Sequence, residues 1–208
     1  MKGRPKQESD RHIPVAILSA AKGGLLEKCH LDLSIREIAS NAGTSSAMIN
    51  YYFFSKNGLL SELVTSFTSD LRAAIVKLEA DIESSSGDHT RIIVRGLADL
   101  LYGRPEITSI MFVEMMRPQS EIRQAYANKH GAYTISHIAD LFTMLMNKGV
   151  YRSNLDVAAI TNLLLSTLLG YRVMSILWPS EVDVSDQQSV DRLIDSLTRA
   201  IEREALPV

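Results

Sequence analysis

Between residues 44 and 56 the chain concentrates short polar and cationic side chains: Thr44, Ser45, Ser46 and Asn50, then Tyr51 and Tyr52, then Lys56. At this spacing, hydroxyls, a carboxamide and an ammonium suit recognition better than bond-making. Short groups reach base edges and phosphates without bulk, and tyrosine hydroxyls can donate to phosphates. A lysine in the first turn of a helix adds its charge to that helix's free amides. The remaining reactive residues form no constellation of this kind. The chain has no glycine-rich phosphate loop, no Gly-x-Ser-x-Gly elbow and no His-Glu-x-x-His. His130 and His137 lie about 10 Å apart along a helix, too far to share an ion, and the adjacent Cys29 and His30 diverge in direction. No catalytic group, metal or cofactor is therefore expected, and an enzyme on a helical scaffold is the disfavoured reading.

The charge distribution marks the same region. Up to Gly58 there are 8 Lys/Arg against 5 Asp/Glu, and beyond it 14 against 19, so a net −2 conceals a basic quarter beside an acidic remainder. The basic quarter is the candidate for an anionic partner. A single cysteine excludes an intrachain disulfide and favours a reducing compartment. The charges at Glu8, Asp10, Arg11 and Lys22 argue against a signal peptide. The apolar stretch from Val157 to Tyr171 is read as too short to span a bilayer, so a cytoplasmic protein with no membrane partner is expected.

Apolar residues recur at helical spacing nearly throughout, and strand alternation is absent, so the fold class is all-α, with about nine helices. The first helix is expected over about 13–28. The second opens at Ser34-Ile35-Arg36-Glu37, a capping-box pattern, and stops at Gly43. The third starts within Thr44-Ser45-Ser46. A long fourth helix begins at Ser55 and ends at the Ser84–Gly87 run. Further helices are expected over about 88–103, 105–117, 119–148, 155–178 and 186–204.

Within residues 35–54, Ala39 permits close approach of two helices, Gly43 supplies the turn, and Ile38 and Ile49 fill the small core between them; this is helix-turn-helix spacing. Phe53 can lock the third helix onto the first, and the four aromatics at 51–54 read as a hinge between a reading head and a body.

The segments ILSAA at 17–21, SIREIASNAGTSS at 34–46 and YYFFSKNGLL at 51–60 resemble the N-terminal pattern of the TetR family of transcriptional regulators. The resemblance runs over about 50 residues without a gap. GVYRSNLDVAA at 149–159 is more loosely similar to the segment leading into the family's dimerisation helix. Two positions depart: Asn50 stands where the family usually has a tyrosine, and Cys29 where a glycine commonly closes the first helix. Carried over residue by residue, the family's DNA contacts fall on Ser34, Arg36, Thr44, Ser45, Asn50, Tyr51, Tyr52 and Lys56. The segment with Lys2, Arg4, Lys6 and Arg11 resembles the arms some members lay along DNA; a solubilising tail is the alternative. The resemblance divides the chain into a DNA-binding domain at 1–55, with its basic arm, and a ligand-binding and dimerisation domain at 56–208.

In the body, methionines and aromatics are punctuated by a few polar groups, which suits a largely apolar small-molecule effector; a filled core is the bland alternative. Its candidate contacts are Met111, Met115, Tyr133, His137, Asn162 and Ser166. Leu163, Leu164, Leu165, Leu168 and Leu169 wrap around their helix, while Val190, Leu193, Ile194, Leu197 and Ile201 form one stripe, so a homodimer on the last two helices is expected. The expected function is a repressor released from a double-stranded operator by its effector, with a ligand-insensitive or quorum-type regulator as the alternative.

Overall fold

The structure is a computed structural model that describes the backbone of residues 6–128 and 132–207 and the side chains of residues 12–128 and 135–207. Among the described residues it is all-helical: α1 (Lys6–Glu27), α2 (Ile35–Asn41), α3 (Ser46–Phe53), α4 (Lys56–Ser84), α5 (His89–Tyr102), α6 (Pro105–Met115), α7 (Glu121–Tyr126), α8 (Ala132–Asn147), α9 (Val157–Leu177) and α10 (Gln187–Ala205).

One boundary differs from expectation. α1 begins at Lys6 and carries Pro14 inside it; the proline suggests a first-turn position, but the helix extends through it. Half of the basic segment is thus helical from Lys6 onward, while Lys2 and Arg4 lie outside the described residues. Of the helix expected over 119–148, the structure describes α7, a wider helical turn at residues 127–128, and α8; residues 129–131 lie outside the described residues. α9 covers Val157–Leu177, as expected; taken beyond Tyr171 it is, by length and composition alone, apolar and long enough to cross a membrane, which the stretch to Tyr171 was read as too short to do.

The chain packs as two compact units: Met1–Thr68 with Pro105–Lys129, and Ser69–Arg104 with His130–Val208. Packing thus places α6 and α7 in the same unit as α1–α3, whereas the division expected from sequence assigns them to the body. α4 contributes residues to both units.

In the first unit, Ile17, Ala21, Leu33, Ile38, Ile49, Phe53, Leu60, Leu63, Ile107 and Ile110 are buried. In the second, α10 lays Val190, Ile194, Leu197 and Ile201 into one apolar cluster with Ile93, Val94 and Leu97 of α5, Phe142 and Leu145 of α8, and Leu164 and Leu168 of α9. The stripe expected on α10 is therefore core of its own unit.

Candidate nucleic-acid interface

Local chemistry builds the helix-turn-helix. Ser34 caps α2: its hydroxyl accepts from the Glu37 amide at 3.2 Å, and its own amide donates to Glu37 Oε2 at 2.9 Å. This closes the reciprocal box that the sequence predicts. Lys28 adds an ion pair to Glu37, and the lysine and Ser34 contacts hold that carboxyl down at about 2.

At the turn Gly43 adopts φ 65°, a left-handed conformation that glycine takes without steric cost. The Thr44 amide returns to the Ala39 carbonyl at 2.9 Å. Ile38 and Ile49 are both fully buried between the helices.

The outer face of α3 is thereby fixed. Ser45 is the N-cap of α3 by backbone geometry, with no side-chain cap bond; its hydroxyl remains on an exposed residue. Ala47, Asn50 and Tyr51 are exposed, Thr44 and Tyr52 half-buried, and Arg36 is exposed on α2. Tyr51 is 72% exposed and meets Tyr52 edge-to-face at 4.9 Å between ring centroids, so the ring pair braces an outward hydroxyl. The polar set predicted over residues 34–52 thus lies on two helices locked by one small core. Ser34 enters it with its oxygen already accepting; its hydroxyl can still donate.

The four aromatics do not form a packed hinge. Phe53 is buried as expected, but Phe54 is 87% exposed with φ 64°. The reason is steric: α4 starts so close to α3 that a Cβ on Gly58 would stand 2.0 Å from the Phe53 carbonyl oxygen. The chain must turn at 54–55, which throws the Phe54 side chain outward. Ser55 then caps α4 by accepting from the Gly58 amide at 3.0 Å.

Lys56 is the first residue of α4, as expected. Its ammonium donates to the Leu31 carbonyl at 3.3 Å, and partial burial lowers its pKa against the opposing pull of Asp32, Cys29 and Glu37. The α1–α2 turn that receives it is anchored by residues the sequence did not single out together. His30 Nε2 meets Glu114 Oε1 of α6 at 2.5 Å, both side chains being 3% exposed. Glu114 also accepts from Arg117 Nη1 at 2.7 Å and from Ser120 Oγ. Burial pushes the Glu114 carboxyl up, but bonds from Ser120, His30 and Arg117 outweigh it and hold the pKa below its ordinary value.

The expected effector contacts do not form one lining. Met111 and Met115 are half-buried on α6 in the first unit, and His137 is half-buried on α8 in the second, its Nδ1 3.3 Å from the Ser136 hydroxyl. The Tyr133 side chain lies outside the described residues. Asn162 and Ser166 are exposed on α9, because Ile160, Thr161, Leu164 and Leu168 take the core-facing positions. They share the outer face with Leu163 and Leu169, which are 44% and 47% exposed.

Residues 17–63 match the model of the bacterial regulatory proteins, tetR family. The chain is similar to the HTH-type transcriptional regulator BetI of Klebsiella pneumoniae strain 342, being 39% identical over 69 residues, which are 33% of this chain and 35% of that protein. The match thus spans about a third of the length of the curated relatives. A TetR transcription regulator from Haloarcula marismortui superposes with a TM-score of 0.73 at 18% identity, covering 92% of this chain and 97% of its own. FadR from Bacillus subtilis, solved in complex with stearoyl-CoA, superposes with a TM-score of 0.68 at 18% identity, covering 88% of this chain and 97% of its own. At such identities the structural likeness establishes the fold.

Proposed function

We propose that the chain, whose residues 17–63 match the model of the bacterial regulatory proteins, tetR family, is a homodimeric transcriptional regulator whose α3 reads the major groove of an operator and whose affinity a small molecule lowers. The observation that carries the reading is the outer face of α3 and its flanks: Ser45, Ala47, Asn50 and Tyr51 exposed on a helix fixed by the buried Ile38, Ile49 and Phe53, with Lys56 beside them. Asn50 and Ser45 are the base-reading candidates; Tyr51, Arg36 and Lys56 take phosphates, and Lys56 exchanges its Leu31 acceptor for one. α4 belongs to both units, so it is the element whose equilibrium an effector would bias. Such an effector acts only through its differential affinity for two states.

The test is titration of the DNA upstream of the protein's own gene at several salt concentrations. Lys56→Ala should weaken binding to all sequences and flatten the log–log salt slope by about one unit, whereas Asn50→Ala should change sequence preference and leave the slope alone. Unchanged affinity and slope in Lys56→Ala would remove the phosphate assignment.

The dimer is supported by the outer face of α9, where Ala159, Asn162, Leu163, Ser166, Leu169, Met174 and Leu177 are exposed at near-helical spacing. A second copy covering this face would present paired heads to half-sites about 34–36 Å apart. Leu163→Glu, a charge placed at that face, should yield a folded monomer by light scattering with operator affinity reduced many-fold.

A further inference from the structure

The second unit neutralises the arginines it buries in part, with one exception. Arg91 pairs with Asp195, Arg95 with Asp191 and Asp99, Arg104 with Asp70, and Arg152 with Glu204. Arg172 of α9 is half-buried, yet among the described residues no carboxylate comes within ion-pair distance of it. Its Nη1 makes one long contact to the Ser175 hydroxyl at 3.4 Å, and its Nε is shielded from solvent with no acceptor at all. Arg152 Nε is orphaned in the same way, but its guanidinium already holds Glu204 through Nη2.

The surroundings make matters worse for the Arg172 charge. Tyr102 and Tyr171 stand with ring centroids 6.3 Å apart, and their hydroxyls are committed to backbone carbonyls, Tyr102 to Leu168 at 3.0 Å and Tyr171 to Ser189 at 3.4 Å. Burial keeps the Tyr102 phenol protonated by raising its pKa, and burial lowers that of Arg172. Tyr102 ends α5, and a helix C-terminus supplies only about half an elementary charge. A half-buried guanidinium lacking a counter-ion is costly, and in this unit a carboxylate is the usual solution.

We propose that Arg172, beside Tyr102, is an anion-receiving site whose ligand is a carboxylate carried on an apolar body. The unpaired Nε shares an edge of the guanidinium with Nη2, and that edge matches the two oxygens of a carboxylate. Past Arg172 the same helix leaves Met174, Ile176 and Leu177 exposed, apolar surface that suits the rest of such a molecule. The inference rests on the effector-binding reading above and sharpens it, from a largely apolar effector to an anionic amphipath.

The experiment is thermal unfolding of the full chain with octanoate or octanol, which have the same chain length with and without the charge. Octanoate should raise the Tm of the wild type by several degrees more than octanol at equal concentration. Arg172→Met should abolish the difference while unfolding at a higher Tm than wild type without ligand, because it removes an uncompensated charge. A merely structural arginine would give the opposite baseline shift. Arg172→Lys keeps the charge and loses the fork, so its octanoate Kd should weaken about tenfold or more; this decides the matter if Arg172→Met does not fold. Equal stabilisation by the two compounds, or a full octanoate response in either variant, would overturn the site. Arg172-dependent stabilisation that leaves DNA affinity unchanged would instead leave the site standing and remove the effector reading.

Discussion

Each unit buries polar or charged side chains, and it treats them differently. In the first unit Glu114 is enclosed and fully served, by His30, Arg117 and Ser120. In the second, Arg172 sits beside Tyr102 with its Nε unmatched. A satisfied buried cluster specifies one arrangement of the elements it joins, here the α1–α2 turn against α6. An unsatisfied charge specifies nothing by itself and costs stability until something supplies its partner. The difference is between a charge whose partners the fold supplies and one whose partners it does not.

The largest effect should come from spoiling the satisfied cluster. Glu114→Ala strands His30 and Ser120 in a dry site, and removing one partner of a buried pair costs about 3–5 kcal/mol. Urea unfolding should show a loss of that size, and operator affinity should fall as the Leu31 anchor of Lys56 loosens. The pH dependence sharpens the test. The folded pKa of Glu114 is depressed below its ordinary value of 4.5, so its contribution is present above that pH and lost as pH falls through the folded value. Glu114→Gln should flatten this acid limb. A loss below about 1 kcal/mol would mean the cluster does not hold the turn and would erase the contrast between the units.

The contrast was half legible in the sequence. The helix-turn-helix could be read because its determinants are local: the Ser34–Glu37 box spans one turn, Gly43 sits where φ must be positive, and Ile38 and Ile49 lie on facing stripes. The His30–Glu114 pair joins residues 84 apart, and no periodicity announces such a meeting. Arg172 left a fainter trace, as the one basic residue in the otherwise apolar α9, which the wrapping leucines obscured. Asn162 and Ser166 were assigned to a lining because polar residues in an apolar helix attract that reading; the faces of α9 show that they belong outside.

Tyr151 gives an intermediate case inside the second unit. Its hydroxyl and that of Thr90 are 2.7 Å apart and buried, and its ring stacks on Phe142 at 6.1 Å. Tyr151→Phe keeps the ring and strands the Thr90 hydroxyl, costing about 1–2 kcal/mol. Burial raises the Tyr151 phenol to about 12, so its contribution is whole below its ordinary value near 10 and lost as pH rises through 12. The variant should therefore lose less stability than wild type between pH 10 and 12. An unchanged urea midpoint would show that this unit tolerates unsatisfied polar groups generally, and Arg172 would lose its distinction.

The smallest effect should come from a pair with geometry as good as any in either unit and with no burial to amplify it. Lys77 Nζ meets Asp81 at 2.6 Å, one helical turn away on α4, with the lysine side chain 76% exposed. Water screens the pair, two side chains must be ordered to make it, and the cation precedes the anion, the weaker order along a helix. Lys77→Ala also gains helix propensity, which offsets part of the loss. The net change should lie within about 0.5 kcal/mol of zero and vanish in high salt. A destabilisation of 2 kcal/mol or more here would mean that short distance alone predicts strength in this protein. Burial and satisfaction, by which Glu114 and Arg172 were told apart, would then be the wrong measures.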